Sequence, residues 1–445
     1  MSSSSYAAAD GKRSPVDHHP HSATPSDIAV GVIIGRTSEF FDFFVFAIAS
    51  VIVFPDLVFP FMDPVQGTLA SFLLVLLAFV ARPVGTVLFM ALDRSVGRVA
   101  KLTAALFLMG TATVAMGLLP SYDYAGVWAI VILAVLRVGQ GLALGGVWDG
   151  MPSLLAIVAP ERRRGIYAMV PQLGAPFGLI VASLLFAYLV ATLPKADFMS
   201  WGWRYPFFVA FAVNVVALFA RLRIVASEEF TRLFETRELQ STPIGATLRQ
   251  DGGTVVLGIF VPLASFAMFH MVTVYPLSWI YLYSDQGPTG FLLIQSVAAV
   301  FGIVAMLLSG WLADVIGRQK LLLWGAVLIG LFAIAAPLLL SGGKTGQTVF
   351  MMLGFVILGL NFGQSSGAVA SLFDQRNRYT GSAIVSDLAW LFGAGFAPLT
   401  GLLLSEWLGL SAAGLYLLSG AICSVIAVWY AGRLEFRTSA KPRRR

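Results

Sequence analysis

Gly310-Trp-Leu-Ala-Asp314-Val-Ile-Gly317-Arg318-Gln-Lys320 is a short charged link where one apolar run ends and another begins. Met90-Ala-Leu-Asp93-Arg94-Ser-Val-Gly97-Arg98 repeats its ending 220 residues earlier, close to half of the 445-residue chain. Each link follows the second long apolar run of its half of the sequence. Duplication of a multi-helix unit accounts for this. Parallel repeats related by an axis along the membrane normal are one architecture of membrane carriers, which hold their cargo near mid-bilayer between the halves.

Working outward from the two links, apolar runs near the length that crosses a bilayer fall at 28–54, 68–90, 102–119, 127–144, 166–193 and 205–220. They resume at 254–283, 291–313, 321–340, 349–372, 383–404 and 412–431. The expected fold is therefore an all-α membrane protein with twelve transmembrane helices in two six-helix halves, 28–220 and 254–431. Around them lie a polar tail (1–27) read as disordered and cytoplasmic, a mixed-charge linker (221–253) and a basic cytoplasmic tail (432–445). Composition agrees: 58% of residues are hydrophobic and only 12% charged, with a mean hydropathy of +0.83. A soluble domain is near a quarter charged, so too few polar residues exist to cover a water-facing surface. The single Cys423 excludes an intrachain disulfide or thiolate metal cluster.

Charge placement gives a topology. Lys195, Arg204 and Lys344 fall in one set of loops, and Arg36, Arg82 and Arg137 fall within spans. The other 23 of the 29 Lys and Arg sort to the opposite loops and the tails. The positive-inside rule then places both termini in the cytoplasm of a multi-pass protein of the inner or plasma membrane. The net charge of +6 is thereby explained without a nucleic-acid partner. The N-terminal tail lacks an apolar core and cleavage site, so it does not read as a signal peptide. His18, His19 and His21 lie in this tail without carboxylate or thiol partners, and no metal or cofactor is expected.

The chain resembles the major facilitator superfamily, and within it the metabolite:proton symporters of dicarboxylates, citrate, shikimate and betaines. Gly310-x-Leu312-x-Asp314-x-x-Gly317-Arg318-x-Lys320 matches the superfamily's loop signature. Closer to the symporter family are Glu39-Phe-Phe-Asp42-Phe, Arg82-Pro83-x-Gly85, Leu136-Arg137-x-x-Gln140-Gly141 and Gly145-Gly146. Arg163-Arg164-Gly165, Trp201-Gly-Trp203-Arg204-x-Pro206-Phe207 and Arg378-Tyr-Thr-Gly381 continue the series. The resemblance implies a monomeric, non-enzymatic secondary transporter, working by alternating access with a gating network at Asp93, Arg94, Gly97, Arg98, Asp149, Asp314, Gly317, Arg318, Arg164 and Arg378. The first-half link departs from the signature: Met90 replaces Gly and Arg94 replaces Asp, with Asp93 displaced by one residue. Val147 and Ile157 stand where the family has Glu, and a carboxylate occurs at Asp149 instead.

Charge inside a span costs about 2.5 to 3.5 kcal/mol per residue on insertion scales, so each instance needs a partner or a task. Arg36, Glu39 and Asp42 follow one another at i, i+3 steps and form one polar stripe on the first span. Arg137 falls near the same depth, and the expectation is that it faces Glu39 or Asp42. Functionally, Asp42 and Glu39 would bind a coupled proton, with Arg137 holding them ionised or binding substrate. An anion competing for that Arg would favour protonation of the carboxylate it leaves. The structural alternative is a permanent ion pair joining spans one and four.

Further substrate-binding candidates are Arg36, Gln140, His270, Asn361, Gln364 and Asp387. His270 titrates in the physiological range, although a helix neighbour could equally satisfy it. Asn361 and Gln364 share a face of span ten and suit either substrate or helix–helix hydrogen bonds, while Asp387 has no evident partner in the sequence. Asp149 reads as a gate partner for Arg98, and Arg82 as a side chain that snorkels to the interface. Gly342-Gly-Lys344-Thr345 imitates the end of a phosphate-binding loop, but Leu338 occupies the position of its first Gly. Together these readings point to proton-coupled uptake of a small organic anion such as a mono- or dicarboxylate. The alternatives are a zwitterionic osmolyte or amino acid as cargo, and a transporter-like solute sensor.

Overall fold

A computed structural model of the chain describes residues 25–147, 155, 159–225, 232, 241–374 and 376–439. His18, His19, His21, Asp149, Ile157 and most of the linker charges lie outside these residues. Twelve long helices cross in turn. The first half holds α1 (Pro25–Ile52), α2 (Pro64–Ser95), α3 (Arg98–Gly117), α4 (Val127–Gly146), α5 (Arg164–Thr192) and α6 (Gly202–Arg223). The second holds α7 (Ile244–Tyr283), α8 (Pro288–Ile316), α9 (Arg318–Ser341), α10 (Gly343–Ser371), α11 (Arg378–Leu408) and α12 (Leu410–Ser439). Eleven of the twelve are long and apolar enough to cross a bilayer. The exception, α1, is as long as the others but carries Arg36, Glu39 and Asp42 within it.

The duplicated link is visible in the backbone. Gly97 and Gly317 each precede the third helix of their half with φ of 102° and 90°, a left-handed turn that glycine adopts without Cβ strain. Each lets the chain reverse within one residue, so the short link needs no loop. The seventh helix starts at Ile244, before the apolar run at 254 begins. Its backbone leaves helical geometry at Asp251 and is divided again near Pro262 and Pro276.

Within the first half, α2 lies against α4 along a glycine-lined seam. A Cβ on Gly85 would collide with the Leu142 carbonyl, one on Gly141 with Ala78, and one on Gly145 with the backbone of Arg82 and Thr86. Small residues at such positions allow helix backbones to touch where lipid provides no hydrophobic drive for association. The glycines of the Arg82-Pro83-x-Gly85 and Gly141, Gly145 motifs therefore meet each other. Between halves, α5 packs along α8 and α2 packs against α11, two contacts that exchange under the 220-residue repeat. Outward faces carry exposed apolar side chains such as Val80, Phe107, Phe219 and Leu338. Lipid is their natural solvent.

Candidate functional site

The charged stripe on α1 does not form one site. Glu39 and Asp42 point into different surroundings, Glu39 meeting two arginines and Asp42 meeting Thr113 and Gln140.

Glu39 sits between two guanidinium groups. Arg36 donates Nη1 to Glu39 Oε2 at 2.5 Å, and Arg221 of α6 donates Nη2 to Oε1. Gly35 makes room for Arg221, since a Cβ there would strike its guanidinium. Next to Glu39, a cavity of about 40 Å³ opens between the halves, lined by Arg36, Glu39, Phe40, Phe43, Phe79, Arg82, Leu144, His270 and Trp390. Pockets that hold small organic ligands have roughly 300 to 1,000 Å³, so the site is drawn in around a space for a few waters. Phe43 stacks on the His270 ring with centroids 4.8 Å apart, and Phe79 meets it edge on at 5.5 Å.

On the cavity wall an ion pair bridges the halves. Arg82 of α2 donates Nε to Asp387 Oδ1 of α11 at 2.7 Å, and the Thr86 hydroxyl donates to Asp387 Oδ2. Both members are buried. Immediately after Asp387, α11 widens into a π turn over Trp390–Gly395, a feature common at functional sites. Pro398 has no N–H to give to the Ala394 carbonyl four residues back. That carbonyl accepts from His270 Nδ1 at 2.6 Å. A carbonyl only accepts, so Nδ1 carries a proton, and Nε2 is buried with no partner among the described residues.

Asp42 lies inside the first half. Thr113 of α3 donates Oγ1 to Asp42 Oδ1 at 2.5 Å, and Gln140 of α4 donates Nε2 to Oδ2 at 2.8 Å. Arg137 reaches Asp42 only through this amide, donating Nη1 to Gln140 Oε1 at 2.5 Å. Its other nitrogens donate to the Leu74 and Val75 carbonyls at 3.2 and 3.3 Å, and its guanidinium lies 3.7 Å from the Phe46 ring centroid. All three guanidinium nitrogens are committed within one half.

At the end of the bundle that carries the chain termini, the duplicated links clasp the opposite half. Asp314 accepts from the Gly165 and Ile166 amides at 2.6 and 3.3 Å, capping the first turn of α5. A carboxylate there answers both the unpaired amides and the positive end of the helix dipole. Arg318 donates to Gly367 O at 2.8 Å and to Gln364 Oε1 at 3.3 Å, and Gln364 donates to Gly165 O at 3.1 Å. In the first half Arg98 lies 3.8 Å from Asp93 and stacks over Tyr379 of α11, while Lys101 donates to the Tyr379 hydroxyl at 2.9 Å. Each link thus holds the first turn of the other half's fifth helix. The displaced Asp93 is buried, and Arg94, at the position where the signature has Asp, is exposed.

Residues 37–397 match the Major Facilitator Superfamily. The chain belongs to that superfamily. It is 38% identical over 420 residues to the inner membrane metabolite transport protein YhjE of Escherichia coli, covering 92% of this chain and 96% of that one. It is 28% identical over 410 residues to the Escherichia coli shikimate transporter, covering 89% and 92%. A crystal structure of the D-xylose-proton symporter superposes with a TM-score of 0.71 over 91% of this chain and 97% of that chain, at 16% identity, which speaks to the fold. The protein is a multi-pass membrane transporter of metabolites, not an enzyme.

Against this transporter's geometry, the sequence-derived candidates divide. Arg36, Glu39 and His270 line the cavity, and Asp387 borders it through Arg82. Gln140 joins Arg137 to Asp42 away from it. Gln364 belongs to the clasp at the termini end, and Asn361 packs against Gly325 of α9. Arg82 does not snorkel: Asp387 holds it at the interface between halves. Arg378 begins α11 beside the Tyr379 contact, and Arg164 begins α5 next to the amides that Asp314 caps. Asp149 lies outside the described residues. Thr86, Thr113 and Lys101 escaped the sequence reading, Tyr379 entered it only as part of a motif, and Arg221, read as the start of the linker, belongs to α6, where it pairs with Glu39.

Proposed function

We propose that this transporter is a proton-coupled symporter that imports a small organic anion, a mono- or dicarboxylate, by alternating access, with both termini in the cytoplasm. The observation that carries the reading is the central cavity, where ionisable groups of both halves, Arg36, Glu39, Arg82 and His270, meet between apolar rings. Arginine presents a planar fork suited to a carboxylate, and intramembrane charge marks substrate and proton pathways.

Asp42 is the proposed proton carrier, with Glu39 and Arg137 in the coupling network. Thr113 gives Asp42 a way to exist in either protonation state. When Asp42 is ionised, the Thr113 hydroxyl donates to it. When Asp42 is protonated, its O–H donates to Thr113, whose own proton turns to the Met109 carbonyl 2.9 Å away. Neither state leaves a buried polar group without a partner, a cost of about 1 to 3 kcal/mol. Arg137, one amide removed, responds to that charge without being bound to it.

Phe40, Phe43, Phe79 and Trp390 on the cavity wall favour a second reading, a zwitterion whose cationic end rests on aromatic faces. Pyranine-loaded proteoliposomes test the first. Internal acidification on adding a carboxylate supports symport, whereas binding without acidification or flux defeats it, and acidification by glycine betaine alone selects the zwitterion.

A further inference from the structure

Two of the three intramembrane arginines, Arg137 expected to serve the substrate and Arg82 the interface, differ in what they have left to give. Arg137 uses Nε, Nη1 and Nη2 on Leu74, Gln140 and Val75, all within the first half. Arg82 borders the cavity and engages Asp387 through Nε alone, so among the described residues Nη1 and Nη2 have no acceptor. We propose that Arg82 anchors the carboxylate of the substrate, and that the substrate takes Arg82 from Asp387, which then binds a proton. The assignment rests on the anion-symport reading and specifies where the anion sits.

The exchange balances. Before it, one guanidinium faces one carboxylate of the protein. Afterwards the guanidinium faces the substrate carboxylate with its bidentate fork, and Asp387 is neutral with a proton drawn from solution. Each monoanion therefore brings one proton to Asp387, distinct from the proton assigned to Asp42, and leaves the charge of this site unchanged. Thr86 makes the neutral state tenable. The Asp387 O–H donates to Thr86 Oγ1, and the Thr86 hydroxyl turns to the Gly145 carbonyl 3.4 Å away, the same device that Thr113 supplies to Asp42.

Other charged and titratable groups face this pair. Glu39 and Arg36 come from α1, with Arg221 of α6 behind Glu39, and His270 comes from α7. Arg98 and Lys101 meet Tyr379, with Asp93 beside Arg98, about 12 Å nearer the termini at 1.5 Å per residue of helix, and Asp251 of α7 accepts from Asn377 beyond them. Glu39 keeps two cations when an anion arrives. Asp387 is the carboxylate that loses its own. Because Arg82 and Asp387 belong to opposite halves, displacement also reduces the tie between α2 and α11 from an ion pair to the single Asp387–Thr86 hydrogen bond, which links cargo binding to movement between the halves.

The test titrates shikimate, benzoate, succinate and glycine betaine into purified full-length protein in weakly buffered detergent, with calorimetry for affinity and a pH dye for protons. Wild type should bind one of the carboxylates with uptake of about one proton, its affinity falling about tenfold per pH unit on the alkaline side. Asp387→Asn should bind the same compound more tightly, without proton uptake and without pH dependence. Arg82→Gln should lose at least tenfold in affinity, and Arg82→Lys should lie between. Should Arg82→Gln fail to fold, the proton count of Asp387→Asn decides. Undiminished proton uptake by Asp387→Asn, or wild-type affinity in Arg82→Gln, overturns the assignment and leaves anion symport standing. Binding of glycine betaine and of no carboxylate by wild type overturns both.

Discussion

Arg82 and Asp387 lie 305 residues apart in sequence and 2.7 Å apart in space, one in each half of the transporter. Removing one member of a buried pair strands the other, at a cost of about 3 to 5 kcal/mol, while replacing both with apolar residues often costs little. Asp387→Ala should therefore lower the thermal unfolding temperature in detergent sharply. Arg82→Leu combined with Asp387→Leu should recover most of the loss while abolishing transport. If the double replacement proves as unstable as the sum of the single ones, the two residues are not an energetic pair.

The clasp on α5 gives a different kind of prediction. Asp314 caps Gly165 and Ile166 across the halves, and losing a helix cap costs about 0.5 to 2 kcal/mol. That energy belongs to the conformation closed at the termini end. Asp314→Ala should shift the population toward opening at that end by roughly 5- to 30-fold for 1 to 2 kcal/mol. The measurement is labelling of Ala168→Cys, which lies under the clasp against Gly367, in a background where Cys423 is replaced by Ser. An unchanged labelling rate would mean that the cap does not hold this side shut.

His270 should behave as a ligand and not as a proton carrier. Its Nδ1–H is committed to Ala394 O, and the ring is enclosed by Phe43, Phe79, Phe269 and Trp390, with no carboxylate among these neighbours. His270→Asn keeps a donor near the Ala394 carbonyl but removes the acceptor at Nε2. It should weaken substrate affinity severalfold, as loss of one hydrogen bond of about 1 kcal/mol would, with the proton-to-substrate ratio unchanged. A changed ratio in flux measurements would return His270 to the coupling path.

How much of this was readable beforehand follows from what each residue's role depends on. The halves were legible because Gly97-Arg98 and Gly317-Arg318 repeat at a fixed offset and span length is set by the bilayer. Asp42 and Gln140 were legible as intramembrane polar groups on helices one and four. The partner of Asp387 was not, because pairing across halves depends on how α2 and α11 are rotated and no local spacing records that. Pro83 beside Arg82 drew attention to the interface, whereas the wall of glycines on α2 and α4 sets how Arg82 is presented. The direct Arg137–carboxylate contact failed for a local reason: Gln140, one turn further on α4, reaches Asp42 first and takes the guanidinium on its other end.

Asp42→Asn separates the coupling proton from the pathway for cargo. The amide is nearly isosteric and can still pair with Thr113 and Gln140 after rotation of those groups, so folding should survive with a stability change within about 1 kcal/mol. Fixed in a neutral state, the site no longer gains or loses charge during the cycle. Exchange of labelled for unlabelled substrate across proteoliposomes should continue near the wild-type rate, whereas accumulation driven by an inward proton gradient should fall to what the proton at Asp387 alone supports. Unimpaired accumulation would remove Asp42 from coupling and leave Asp387 as the carboxylate that carries the proton. Loss of both exchange and accumulation in a folded protein would instead give Asp42 a part in moving the halves, since a neutral site would then be unable to pass between the inward- and outward-facing states.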